Sequence, residues 1–161
     1  MQRFGLAMIM ALALTGTAAR AQVNDDPTGP QPLLPTEPLS ITADGGKVYY
    51  FTVEMAATPQ EQATGEMFRT NIPANAGMLF VWPQPADQAM WMENCPVPED
   101  MVFIAPDGTI LAIAENTVPY STRPVSAGQK EVAVLELQGG ITATDGISVG
   151  DKVVAKQFGG S

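Results

Sequence analysis

The 161-residue chain has no histidine, a single cysteine and only 8 basic residues against 17 acidic ones. Each shortage removes a class of chemistry. Without histidine there is no Ser-His-Asp triad, no Cys-His dyad and no histidine-ligated zinc. One cysteine makes neither an internal disulfide nor a CxxC redox pair. A net charge of −9 leaves too few Lys and Arg to neutralise phosphates, so nucleic acid is not an expected partner. What is present is an ordinary composition: 45% hydrophobic residues, with 15 glycines and 14 prolines, at a length suited to one domain.

The N-terminus reads as an export signal. Met1-Gln2-Arg3 is a short positive start, Phe4 to Leu14 is an apolar run, and Ala19-Arg20-Ala21 offers small residues for cleavage before Gln22. A membrane span needs roughly 20 apolar residues, and Thr15, Gly16 and Thr17 interrupt the run too early. The expected location is therefore periplasmic or secreted, with residues 1–21 removed and no stable membrane insertion afterwards. Their loss takes Arg3 and Arg20 but no acid, leaving a net charge of −11 over residues 22–161.

Residues 22–38 read as a flexible spacer. Pro27, Pro30, Pro32, Pro35 and Pro38 deny the backbone its N–H donors and favour extended polyproline II. The folded domain is expected over 39–161. Leu39–Ala43 and Lys47–Met55 read as strands joined by the Asp44-Gly45-Gly46 turn. Thr58, Pro59 and Glu61 form a capping box opening a helix expected to reach about Phe68. Further strands are expected at 78–82, 88–92, 101–105, 110–114, 131–137 and 151–155, with a helical turn over 142–147. Asp107-Gly108 and Asp145-Gly146 are turn chemistry and lack the oxygen spacing of a calcium loop. The expected fold class is mainly β: a compact barrel or jelly-roll-like sandwich of about 7–8 strands with one packed α-helix.

Four motifs resemble the DUF192 family of uncharacterised bacterial and archaeal proteins. They are Gly65-Glu66-Met67-Phe68-Arg69, Gly77-Met78-Leu79-Phe80-Val81-Trp82, Trp91-Met92-Glu93-Asn94-Cys95, and Pro98-Glu99-Asp100 running on to Phe103-Ile104. Val134-Leu135-Glu136-Leu137, Gly139-Gly140 and Gly150-Asp151 continue the similarity. The resemblance implies a compact β-rich domain with a helix against it, and it implies no function. The chain departs from the family pattern at Glu66, where the family has Leu, at Glu93 (Lys), at Cys95 (Thr) and at Glu99 (Leu).

Within these motifs Arg69, Trp91, Asn94 and Asp100 are the candidate ligand-binding residues. Arg69 can clamp a carboxylate or phosphate in bidentate fashion, Trp91 offers a platform for a flat ligand, and Asn94 and Asp100 offer hydrogen bonds. The competing reading pairs Arg69 with Asp100 structurally and puts Trp91 in the core. Met78, Met90, Met92, Cys95 and Met101 are soft ligands for Cu(I) on one reading and irregular core fillers on the other. Cys95 reads as a buried small hydrophobe, or else as a thiol that cross-links a dimer or reacts with oxidants. Alternation places Glu99 and Asp100 on opposite faces of a strand, so no carboxylate pair is dictated by spacing. The resulting expectation is a non-catalytic ligand-binding or accessory module without a cofactor, monomeric or weakly dimeric, whose partner is a small ligand or a protein. A hydrolase using acidic residues and a Cu(I) protein are the alternatives.

Overall fold

The structure, a computed structural model, describes residues 26–160; the expected signal segment and the first residues of the spacer lie outside the described residues. Seven strands form: β1 (Thr36–Thr42), β2 (Val48–Ala56), β3 (Ala76–Ala86), β4 (Glu99–Ile104), β5 (Ile110–Ala114), β6 (Glu131–Gln138) and β7 (Lys152–Val154). Two short helices, α1 (Pro59–Thr64) and α2 (Ile141–Asp145), accompany them. All seven strands belong to one sheet in the order β5-β4-β6-β3-β2-β1-β7. The sheet curls into a half-barrel, and its edges meet at a bridge between Thr109 and Lys152. Ile110 N–H donates to Asp151 O at 2.9 Å and Val153 N–H to Gly108 O at 2.8 Å. Only glycine fits at 108, because a Cβ there would lie 2.3 Å from Val153 O. The mainly β expectation holds, as a single curled sheet.

Several boundaries differ from the sequence reading, each for a local reason. β1 begins at Thr36 rather than Leu39, with Pro38 opposite Thr52. β7 pairs only with Ser40 to Thr42, so the proline occupies a stretch with an open edge, where no ladder bond is lost. α1 has the expected capping box: Glu61 N–H donates to Thr58 Oγ1 at 3.3 Å, and Thr58 N–H donates back to Glu61 Oε2 at 2.8 Å. It stops at Thr64, short of Phe68, because Gly65 leaves helical space at φ 47°, ψ −133°. A Cβ on Gly65 would meet the Phe80 ring at 2.9 Å, so this glycine also seats the helix against β3. The expected strand over 88–92 reduces to one bridge between Met90 and Val125. Met92 N–H turns instead to Ser121 O, at 2.8 Å.

The parallel pairing of β2 with β3, from Thr52 opposite Ala76 to Ala56 opposite Phe80, requires a crossover. That crossover carries α1 and residues 65–69 over the outer face of the sheet. The inner core draws on every strand, through Ile41, Val53, Leu79, Val102, Ile110, Leu135 and Val153. A second, outer core packs Met78 and Phe80 of β3, Val134 of β6, and Met101 and Phe103 of β4 against Met67, Met92 and Cys95 of the covering layer. β4 and β6 are therefore buried on both faces, which is why 101–104 and 132–135 read as continuous apolar runs. No helix among the described residues is long and apolar enough to cross a membrane.

Candidate functional site

The outer core contains charge. Across the sheet, Glu54 of β2 lies opposite Met78 of β3, and Met78 opposite Glu136 of β6, which itself faces Met101 of β4. One pleat further along β4, Glu99 is on the same side as Met101. The turn after α1 lowers Glu66 and Arg69 onto this surface, and Cys95 arrives from the 88–98 segment. Glu66, Glu99 and Glu136 are buried, Glu99 completely.

Arg69 is the one cation among these groups, and it is already engaged. Its guanidinium holds Glu54 bidentately, through Nη1 to Oε1 and through Nη2 to Oε2 at 2.9 Å. Leu34 N–H adds a bond to Glu54 Oε2 at 2.7 Å. Burial opposes ionisation of Glu54, but Arg69 and the Leu34 amide outweigh it and hold the carboxyl below its ordinary range. Glu66 receives less. Arg69 Nε stands 3.2 Å from Glu66 Oε2 without the alignment of a hydrogen bond, and that oxygen has no donor. Burial pushes Glu66 up to about 7 against the pull of Arg69.

Among the described residues no cation contacts Glu99, and no backbone, amide or hydroxyl donor reaches its oxygens, which leaves the Cys95 thiol and a protonated Glu136 as its hydrogen-bond partners. Its neighbours are the Glu136 carboxyl and the Cys95 thiol, so the two carboxyls bond to each other only when one carries a proton. Burial, then the charge of Glu66, raises Glu99 to about 8. Glu136 is raised well above the carboxylate range by burial and by Glu99 and Glu66. The same surroundings push the Cys95 thiol up, so it stays protonated and is no nucleophile.

A cleft of about 280 Å³ opens from this cluster to solvent. Glu66, Glu136 and Cys95 lie on its walls, with Phe80, Trp82, Met90 and Trp91. Trp91 is half exposed, and Trp82 stacks on Phe80 with ring centroids 6.4 Å apart. Four non-glycine residues have strained backbone, none of them a lining residue of the cleft. Phe68, Asn94, Asn116 and Tyr120 all have positive φ, from 48° to 64°, a conformation that costs a non-glycine residue about 1–3 kcal/mol. Phe68 N–H donates to Asn94 O at 2.7 Å and Tyr120 N–H to Cys95 O at 3.1 Å, so three of the four are tied around the 94–95 corner.

The four candidates from the sequence separate. Trp91 lines the cleft and Arg69 borders the carboxyl cluster behind it. Asn94 shapes the covering layer, its amide 3.8 Å from Met67 Sδ. Asp100 lies on the opposite face of β4, where it accepts from the N–H groups of Asn116, Gly140 and Thr142 and from the Thr142 hydroxyl. The competing reading is corrected as well: Arg69 pairs with Glu54 and Glu66 rather than Asp100, and Trp91 is not a core residue. Met78, Met92, Met101 and Cys95 pack in the outer core, with Met90 at its edge. Among the described residues, no group of three or more His, Cys, Asp and Glu is placed to hold a metal ion.

Sequence reasoning did not assemble Glu54, Glu66, Glu99, Glu136 and Trp82 into a site. The usable signal was the set of family departures: Glu66, Cys95 and Glu99 converge here, whereas Glu93 stays exposed.

The DUF192 family model, described as an uncharacterised ACR, matches residues 40–155. A solved structure from Sinorhizobium meliloti 1021, named as a candidate transcription regulator, is 34% identical with a TM-score of 0.77; the match covers 79% of this chain and 98% of that one. A protein of unknown function from Novosphingobium aromaticivorans DSM 12444 is 35% identical with a TM-score of 0.74, over 85% of this chain and 100% of that one. No curated protein matches the chain.

Proposed function

This chain belongs to the DUF192 family, and from that premise we propose that it is an exported, non-catalytic module that binds a small ligand in the cleft beside α1. The carrying observation is the cleft itself: about 280 Å³, aromatic at the mouth, with buried carboxyls of Glu66 and Glu136 on its walls. Few convergent polar groups in an apolar concavity is the usual composition of a ligand site. Strained backbone gathered around Cys95 supports the same reading, because strain persists where a site needs it.

Binding is favoured over hydrolysis by accessibility. Glu99 and Glu136 form the kind of coupled carboxyl pair that divides acid and base roles. Glu99, however, is fully buried, and its partner Cys95 is a protonated thiol. A transcriptional role on DNA is disfavoured by the acid excess, which repels phosphate.

A fragment screen read by the indole signals of Trp82 and Trp91 tests the binding role. Saturable shifts of both indoles, lost in Trp91→Ala, are the expected result; a screen that moves neither defeats it. Export rests on the pattern of residues 1–21 and the cleavage site before Gln22. The protein recovered from a periplasmic fraction is expected to begin at Gln22, and an intact Met1 on the recovered protein refutes this.

A further inference from the structure

We propose that the ligand of this cleft is a small organic cation, a protonated amine or quaternary ammonium on an apolar or aromatic body, with its charge at Glu66 and Glu136 and its body against Trp82 and Trp91. This deepens the binding reading above and rests on it.

Three observations select the class. First, the carboxyls outnumber the cations at the floor. Arg69 holds Glu54 by two hydrogen bonds and stands 3.2 Å from Glu66 Oε2, and no ion pair among the described residues reaches Glu136, the other carboxyl on the cleft's wall. A buried carboxylate without a positive partner is costly, and a cation entering the cleft supplies one to Glu136. An anionic ligand faces four carboxyls, of Glu54, Glu66, Glu99 and Glu136, against the one guanidinium of Arg69, and a neutral one draws no charge interaction from them. Second, Trp82 and Trp91 are among the lining residues, both less buried than the carboxyls, and the negative quadrupole of an aromatic ring attracts cations. Third, the cleft is at or below the lower limit of drug-sized pockets, which suits one ring with a short ammonium arm.

Binding of such a cation is linked to protons. Every titratable group facing the seat is accounted for: Glu54 and Arg69 form a closed pair, Cys95 stays a thiol, and Glu66, Glu99 and Glu136 exchange protons. In the empty site burial keeps these three partly protonated near neutrality. A bound ammonium favours their ionised forms, so protons leave as it enters and affinity climbs with pH.

The probe is phenethylammonium, which stays protonated over the range used, with 2-phenylethanol and phenylacetate as neutral and anionic counterparts. Calorimetry on the full mature chain is expected to give tenfold or more tighter binding of the cation at pH 8.5 than at pH 6, with proton release detected in buffers of different ionisation heat. The neutral probe is expected to bind at least tenfold more weakly at pH 8.5. Glu136→Gln is expected to remove the cation's advantage, and Glu93→Gln, on the exposed surface, to leave it intact. If 2-phenylethanol or phenylacetate moves the Trp82 and Trp91 signals as strongly as the cation does, the cation inference falls while the binding role stands. If the fragment screen finds ligands in the cleft and phenethylammonium binds without pH dependence or not at all, the inference falls in the same way. If neither the three probes nor the screen perturb these indoles, both fall.

Discussion

At pH 9 the Glu99→Leu variant is expected to melt roughly 10 °C above the native chain, and at pH 5 the two are expected to differ far less. The reason is the direction in which burial moves the carboxyl. In the unfolded chain Glu99 loses its proton near the ordinary value of 4.5, but in the fold it holds the proton up to about 8. Between those values the folded state binds more protons than the unfolded state, so stability falls as pH rises through this window. The contribution linked to Glu99 is undiminished below about 4.5 and fully lost above about 8. Glu66, raised to about 7 by burial, adds a loss of the same sign, and Glu136 moves in the same direction. Each tenfold change in proton affinity is worth about 1.4 kcal/mol, so ionising Glu99 costs the fold roughly 3–5 kcal/mol.

Leucine has a similar volume and no charge, and replacing buried ions with apolar residues often stabilises by about 1–4 kcal/mol. At roughly 2–8 °C per kcal/mol for domains near this size, a shift of this order follows. Glu99→Gln is expected to reduce the pH slope to the share left by Glu66 and Glu136 but to recover less stability than leucine, since its amide is still a buried polar group. Melting curves from pH 5 to pH 9 decide the matter. A native profile that stays flat, or one that rises across this range, removes the basis for treating Glu99 as a neutral acid in the fold.

That the chain tolerates such a cost bears on what was legible beforehand. The β class could be read because Lys47 to Met55 alternates and the Asp44–Gly46 and Asp107–Gly108 turns carry their own chemistry. The capping box on α1 needed only local spacing. Strand partners were not legible: nothing in the residues of β2 and β3 says that they pair in parallel, and that pairing is what lays α1 across the outer face. The site depended on it. Glu54, Glu136 and Glu99 sit on three strands, of which only β4 and β6 touch, and Glu66 reaches them only through the crossover. Periodicity was also silent on Glu136, because β6 is covered on both faces and its burial does not alternate. The one sequence-level clue was chemical rather than periodic: acids at Glu66 and Glu99 where the family pattern has leucine. An apolar position that has become acidic, yet remains buried, marks where this member has diverged.

Asp100, the neighbour of Glu99, shows the opposite use of a buried carboxylate, and its loss is expected to be the most damaging single change. Its Oδ1 accepts from Asn116 N–H at 2.7 Å and Gly140 N–H at 2.8 Å, and its Oδ2 from Thr142 N–H at 2.9 Å and the Thr142 hydroxyl at 2.6 Å. The four donors come from the segment just after β5, the turn after β6 and α2. One fully buried side chain therefore fixes three connections around β4. Asp100→Ala strands those donors without water, at about 1–3 kcal/mol for each one left unsatisfied, and a total above roughly 4 kcal/mol is expected. Asp100→Asn keeps the shape but turns one acceptor into an NH₂ that faces existing donors, so it is expected to rescue only part of the loss. Chemical denaturation of the three chains measures this directly. The same network isolates structure from site: because Asp100 faces away from the cleft, any Asp100→Asn protein that folds is expected to bind a cleft ligand with native affinity. A variant that folds normally but loses binding would place Asp100 within the site after all.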